Sequence, residues 1–387
     1  MKTIKETLIG TMINGKNILN EIAVSEKVGK DFSLDKNRTE RIINQLHPAV
    51  LNLRISEIIP ATKDAKTIRF VSENGYLPPF EAGQYINVAV EIDGVRTTRP
   101  YSICSSPRQR AYYEITVARI KNGFVSDYFL DNAKVGDKFE ANGPQGVFHF
   151  NPVFHYKRSV FLAGGSGITP FMSMIREVLE KGLDRELHLV YGARNIDLAI
   201  FDAELKDFAK KYNNFHYTLV LSDKDAKGGD RHGFIDADCI KDVVKTLDKT
   251  TFYLCGPQVM TDFCVDILKS LNVRSRDIRR EMFGARQDIQ NEPGFPKELT
   301  GSEVFKLKVG DKVIDAKCNE SILCALERAG IRVNVCCRSG ECSLCRVKLV
   351  SGKVFMPRGV LLRHADEMFG YIHSCKAYPI SDVEIAL

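Results

Sequence analysis

The sequence predicts a multidomain chain: an antiparallel β-barrel, then a doubly wound α/β domain, then a small α+β domain. Three observations predict it. The 387 residues are too many for one hydrophobic core. Short β-rich runs bounded by Gly, Pro, Asn or Asp occupy residues 51–150, and apolar strands alternate with helical patterns from Ser159 to Met282. Five of the eleven cysteines crowd between Cys336 and Cys375. The boundaries expected are an N-terminal extension at 1–50, the β-barrel at 51–152, the α/β domain at 153–284, a linker at 285–302 and the α+β domain at 303–387.

In the extension, Leu8, Ile9, Met12, Ile13, Ile18, Leu19 and Ile22 recur at helical spacing, Gly10, Gly15 and Gly29 interrupt them, and Pro48 ends the pattern. The barrel strands are LNLRISEII, KTIRFVS, QYINVAVEI, YYEITVARI and KFEANGP, with one helix at about Ser126–Leu130. Next come strand SVFLA with helix PFMSMIREVLEKG, ELHLVYGA with AELKDFAKKY, FHYTLVLS with DCIKDVVKTL, and TFYLC with VMTDFCVDILKSL. That βα series implies a parallel sheet. The Gly- and Pro-bearing stretch GARQDIQNEPGFPKELTGS reads as a linker, and a hairpin around Gly310-Asp311 precedes the helix SILCALERAG.

Composition narrows the function. A net charge of +6 without a Lys/Arg run argues against nucleic acid. No window approaches the roughly 18 uncharged apolar residues of a membrane span. The polar start MKTIKETLIGTMINGKNILN is unlike a secretory signal, so a cytoplasmic location is expected. Dense cysteines there point to metal or catalysis rather than disulfides.

Spacing selects the metal. A zinc ribbon needs two Cys-x-x-Cys pairs, and only Cys342 and Cys345 form one. Cys337, Cys342 and Cys345 fit C-x4-C-x2-C, the plant-type [2Fe–2S] spacing, whereas Cys336 makes the first gap one too long. The fourth ligand must follow, and Cys375 is the only cysteine beyond Cys345. Ser339, Gly340 and Ser343 are small enough to let backbone N–H groups close on sulfur. Cys336 reads as a packed bystander. The segments CRSGECSLC and YIHSCKAYPISDVEI, 29 residues apart between Cys345 and Cys375, resemble plant-type ferredoxins, which implies a β-grasp domain.

A cluster carries one electron and nicotinamide delivers a hydride, so a flavin is the expected intermediary. Arg99-Pro100-Tyr101-Ser102 offers a phosphate partner, an aromatic ring and a hydroxyl, though alone it would read as an ordinary strand end. Gly123-Phe124-Val125-Ser126 opens a helix. Gly164-Gly165-Ser166-Gly167-Ile168-Thr169-Pro170 is a glycine-rich strand-to-helix turn, with Thr169 expected as N-cap and Pro170 in the first helical position. It lacks the G-x-G-x-x-G spacing. Cys255-Gly256-Pro257 ends a later strand, on the same rim.

As an ordered set, RPYS, GFVS, GPQGVF, GGSGITP, CGP and EMFG resemble the ferredoxin–NADP reductase superfamily over residues 51–284. The resemblance implies that Arg99 binds a flavin phosphate, Pro100 and Tyr101 line the isoalloxazine, and Ser102 lies near its N5. It places the FAD pyrophosphate on Gly123, Val125 and Ser126. It assigns the nicotinamide cofactor to Gly164, Gly165, Gly167, Thr169, Arg194, Ser222, Asp223, Gly256 and Pro257, with Cys255 and Glu281 beside hydride transfer and Phe283 over the ring region. Relatives of the NADP type carry Ser-Arg where this chain has Ser222-Asp223, so NADH is favoured over NADPH, although Arg194 points the other way. The expected function is electron transfer from NADH through FAD and a [2Fe–2S] cluster to a partner metalloprotein. The alternative is an electron-transfer component held permanently in a larger enzyme.

Overall fold

The computed structural model describes residues 4–28, 38–120, 123–283 and 288–387. Met1–Ala49 forms one compact unit and Val50–Leu387 another. The first contains helices α1 (Ile4–Gly10), α2 (Gly15–Val28) and α3 (Arg38–Leu46); of the residues at helical spacing Leu8, Ile9, Ile18, Leu19 and Ile22 lie in α1 and α2, Met12 and Ile13 fall in the turn between them, and Gly29 lies outside the described residues.

The second unit begins with strands β1 (Leu51–Thr62), β2 (Ala65–Ser72), β3 (Tyr85–Ile92), β4 (Val95–Ser102) and β5 (Tyr113–Ala118), helix α4 (Phe124–Asp131), and strand β6 (Lys138–Gln145). They form an antiparallel sheet in the order β4-β3-β6-β1-β2-β5, and a bridge between Ile103 and Ile115 joins its two ends into a barrel. Alternate residues such as Leu51, Leu53 and Ile55 point inward, as a period of two requires. The sequence predicts only the end of β4, Arg99–Ser102, as strand because VRTTRPYS is polar; pairing with β3 across eight registered residues makes the whole of it one.

A parallel domain follows: β7 (Arg158–Gly164), α5 (Ile168–Lys181), β8 (Glu186–Ala193), α6 (Asp202–Lys211), β9 (Phe215–Leu221), β10 (Arg231–His232), α7 (Ala237–Val243), β11 (Thr250–Cys255), α8 (Gln258–Ser270) and β12 (Ile278–Glu281). The sheet order is β10-β9-β8-β7-β11-β12. The chain leaves β7 toward β8 and leaves β11 toward β12, so the connections diverge between β7 and β11, the crevice where such sheets bind ligands. β10 and β12 are short polar edge strands with no periodicity to betray them.

One apolar core runs from this domain into the barrel: Ala82, Cys104 and Phe148 pack with Phe171, Met174 and Ile175 of α5. Polar contacts reinforce it. Ser173 Oγ donates to the Ser105 carbonyl at 2.8 Å, and the Arg176 guanidinium to the Cys104 carbonyl at 2.8 Å. The helix that starts at the glycine loop is thereby held against the residues that follow Arg99–Ser102.

The last part contains β13 (Val304–Val309), β14 (Lys312–Lys317), α9 (Ile322–Arg328), β15 (Arg346–Ser351), β16 (Val354–Phe355), α10 (His364–Met368), β17 (Tyr371–His373), β18 (Tyr378–Pro379) and β19 (Val383–Ala386). Five strands form a mixed sheet, β14-β13-β19-β15-β17, under α9. The connection expected as a linker is packed down beyond residues 284–287, which lie outside the described residues. Ile289 and Phe295 are buried with Cys318 and Tyr378, because apolar side chains within a Gly/Pro-rich stretch still bury where a surface receives them.

Phe171 stacks on Phe161 at 4.8 Å and is fully buried. Phe171→Ala is expected to cost about 3–5 kcal/mol in urea unfolding. A loss below about 1 kcal/mol would contradict a shared core.

Candidate active site

The motif residues converge on strand ends. β4 terminates in Arg99–Ser102, in register with β3 so that Tyr85 faces Ser102 and Asn87 faces Pro100. Tyr101 is half-buried, edge-on to Phe129 at 5.7 Å. Arg99 donates to the Thr97 hydroxyl and, at 2.8 Å, to the Thr98 carbonyl. Burial and the neighbouring Arg338 lower its pKa. Its hydrogen bonds go to neutral oxygens, a setting that suits an added anion such as a flavin phosphate. Helix α4 starts after Gly123, where a Cβ would meet Ser126 Oγ at 2.0 Å. Ser126 and Val125 are buried beneath that turn.

In the parallel domain the glycine loop and the Cys255-Gly256-Pro257 turn flank the divergence point. Their backbones touch: a Cβ on Gly167 would fall 2.2 Å from the Cys255 carbonyl oxygen, and one on Gly164 would fall 2.9 Å from Pro257 Cδ. Gly165, at φ +52°, faces open space and leaves its backbone approachable. One expectation is corrected. α5 is capped by Gly167, and Thr169 is the second residue of the helix, its hydroxyl donating to the Ser166 carbonyl at 3.0 Å. A short 3₁₀ turn over Gly165–Gly167 starts the helix early. Pro170 consequently sits third, still within the first turn, where an N–H is dispensable. Arg194 and Ser222 are exposed and Asp223 half-buried on the ends of β8 and β9, and the Asp223 N–H donates to the Arg194 carbonyl at 3.0 Å.

Cys255 and Glu281 are registered neighbours at the ends of β11 and β12, and both are buried. Ser102 Oγ reaches Glu281 Oε2 at 3.4 Å, which joins the end of β4 to the end of β12. Burial, and then the Glu281 carboxylate, push the Cys255 thiol well above its ordinary pKa, so it is a neutral thiol rather than a nucleophile. Burial first, then Glu341, raise Glu281 to about 8. Burial also raises Glu341. Tyr85, Pro100, Ser102, Glu281, Met282 and Phe283 line a small pocket together with Cys337, Ser339 and Glu341. Strand end, nicotinamide-side rim and cysteine loop therefore meet at one place. A larger cavity of about 790 Å³ lies elsewhere, among the paired charges of Arg69, Glu114, Arg176 and Glu204.

The four predicted ligands fall into two pairs, as two metal ions sharing four thiolates need: Cys337 contacts Cys342, and Cys345 contacts Cys375. Contact with Cys375 lowers Cys345 to about 7. The N–H groups of Ser339 and Cys342 each donate to Cys337 Sγ at 3.4 Å. Arg338, Gly340 and Ser343 hold positive φ of 53°, 84° and 59°, which turns the loop around the sulfurs. Non-glycine residues in that region store strain of roughly 1–3 kcal/mol each, and such strain gathers at functional sites. These features fit a [2Fe–2S] cluster. Cys336 is buried, but it touches Tyr85 and Cys342 rather than only packing. Sequence reading missed Tyr85, Asn87, Thr97, Glu327, Arg338 and Glu341. Tyr85, Asn87 and Thr97 find their partners more than 200 residues away, so no local signal marks them.

The fold and site define a flavin- and nicotinamide-dependent reductase with an iron–sulfur domain. Comparison agrees. Residues 52–150 match the oxidoreductase FAD-binding domain, 161–266 the oxidoreductase NAD-binding domain, and 307–379 the 2Fe-2S iron-sulfur cluster binding domain. One component of the 1,2-phenylacetyl-CoA epoxidase of Escherichia coli is 30% identical over 358 residues, covering 86% of this chain and 96% of that one. The glycine betaine monooxygenase reductase subunit of Chromohalobacter salexigens is 29% identical over 350 residues, covering 86% and 94%. The structure of phthalate dioxygenase reductase superposes with a TM-score of 0.67 at 28% identity, covering 87% of this chain and 98% of that one. The chain belongs to the ferredoxin–NADP reductase superfamily, among the reductases that carry a C-terminal [2Fe–2S] domain. It is an NAD(P)H-dependent flavin iron–sulfur oxidoreductase that passes electrons to a partner protein. Among the described residues, no helix is long and apolar enough to cross a membrane.

Two outcomes test the site. Cys337→Ser should abolish the visible and EPR signals of the cluster, whereas Cys336→Ser should keep them; equal loss in both would overturn the ligand assignment. Glu281 has a folded pKa of about 8, above its ordinary 4.5, so it holds its proton more tightly when folded. Its contribution is complete below the lower value and is lost as pH rises toward the upper one. In urea unfolding across that range, Glu281→Gln should therefore gain on wild type as pH rises. Parallel curves would contradict the burial argument.

Proposed function

We propose that the enzyme oxidises NADH in the cytoplasm and delivers electrons singly to a metalloprotein acceptor such as an oxygenase component. When bound, FAD accepts a hydride and releases single electrons, and the [2Fe–2S] cluster carries them onward. Arg99 holds the flavin phosphate, Pro100 and Tyr101 bound the ring, and Ser102 addresses N5. Gly123, Val125 and Ser126 take the pyrophosphate at the start of α4. Gly164, Gly165, Gly167 and Thr169, with Gly256 and Pro257, hold the nicotinamide cofactor across the crevice between β7 and β11. Phe283 covers the ring region. Cys255 and Glu281 close the reaction site, and the neutral Cys255 packs there without adding charge. Ser102 and Glu281 hold a proton between them, in line with the proton that each hydride releases. Cys337, Cys342, Cys345 and Cys375 ligate the cluster.

The observation that carries this reading is the junction itself: Ser102, Glu281 and Cys337 line one pocket although they come from three parts of the chain. A ring edge that reaches this junction lies next to both its donor and its acceptor, and positioning is the protein's main contribution.

NADH is the donor because Asp223, beside Arg194 at the ends of β9 and β8, would repel a 2′-phosphate and accept a ribose hydroxyl. Asp223→Ser should shift the ratio of kcat/KM values toward NADPH by about tenfold, equivalent to about 1.4 kcal/mol. Steady-state kinetics with both nucleotides decide it. A wild-type preference for NADPH, or a ratio indifferent to the substitution, would refute the assignment.

A further inference from the structure

The first cysteine of the cluster loop is gripped on both sides by the hairpin that ends in Arg99–Ser102. Before it, the Asn87 side-chain amide donates to the Val335 carbonyl at 3.1 Å, and the Tyr85 hydroxyl meets Cys336 Sγ at 3.1 Å. After it, Arg338 crosses to β4, donating to Thr97 Oγ1 at 3.0 Å and pairing with Glu327 of α9. Thr97 closes the triangle by donating to Glu327 at 3.0 Å. Tyr85 and Asn87 lie on β3 directly opposite Ser102 and Pro100. The same two strands therefore present the flavin motif at their ends and hold the residues two before, one before and one after Cys337.

Arg338 is costly to keep there. It is 5% exposed, and a buried guanidinium loses several kcal/mol of hydration unless its partners are well placed. Its backbone also sits at φ +53°, a region that side-chain-bearing residues avoid. Closing a loop around sulfur needs neither burial of a cation nor a reach into another domain. Both are accounted for if the side chain also fixes the distance between two carriers.

We propose that Arg338 is a positioning residue for transfer from flavin to cluster: through Thr97 and Glu327 it locks Cys337 against the flavin hairpin, so that each single electron crosses a fixed gap. The proposal rests on the flavin and cluster assignments above. Per turnover, NADH and two oxidised one-electron acceptors become NAD⁺, one proton and two reduced acceptors. The lock bears on the two single-electron steps and leaves the hydride step alone. A misplacement of about 1 Å can cost up to about a hundredfold in rate.

The test is anaerobic rapid mixing of holoenzyme with NADH, with flavin bleaching followed optically and the reduced cluster by freeze-quench EPR. Arg338→Gln and Glu327→Gln should leave flavin reduction within about twofold of wild type and slow cluster reduction about tenfold, with Arg338→Lys recovering part of the loss. Cluster reduction at the wild-type rate in variants with full cluster content would overturn the proposal, as would flavin and cluster rates that fall together. If Arg338→Gln fails to retain its cluster, Glu327→Gln, which leaves the loop sequence intact, decides by the same criterion. A wild-type cluster that NADH does not reduce at all would overturn the functional reading instead.

Discussion

Everything in the second unit answers to one contact, Ser102 against Glu281 at 3.4 Å. It lies where the end of a barrel strand meets the end of a parallel-sheet strand, and Cys337 of the third domain lines the same pocket. Hydride transfer needs near-contact and electron transfer slows with distance, so three parts of the chain must present residues to a single point. Two carboxylates meet there, Glu281 buried and Glu341 half-buried, and burial raises the pKa of both.

The packing explains how that point stays fixed. The apolar core does not stop at the boundary between barrel and parallel sheet, because Cys104 and Phe148 share it with α5. The helix carrying the glycine loop is also tied by Ser173 and Arg176 to the backbone at Ser105 and Cys104, immediately after the flavin motif. The third domain is docked through polar groups instead, Asn87, Tyr85 and Thr97 against the loop around Cys337. Polar docking gives direction as well as strength, since each bond fixes an angle.

Chemistry carried by neighbouring residues was legible in the sequence. The spacing of Cys337, Cys342 and Cys345 and the glycines at 164, 165 and 167 are local patterns with local physical causes. What escaped was set by partners far along the chain. Only the end of β4 reads as strand until β3 pairs with it, and β12 carries no pattern of its own until β11 does. Thr169 has the chemistry of an N-cap, yet the 3₁₀ turn over the glycines started the helix at Ile168. Arg338 stands between cysteines with no local mark of its role, and its partner Thr97 is 241 residues away. The positive φ of Arg338 and Ser343 belongs to loop closure, which propensity does not encode.

The central claim is an order of carriers imposed by geometry, from nicotinamide to flavin to cluster. The most direct measurement removes the middle carrier. Protein stripped of FAD but retaining its cluster, mixed anaerobically with NADH, should show no cluster reduction by EPR, and adding FAD back should restore it. Reduction of the cluster by NADH without flavin, or a cluster that stays oxidised beside fully reduced flavin, would contradict the account.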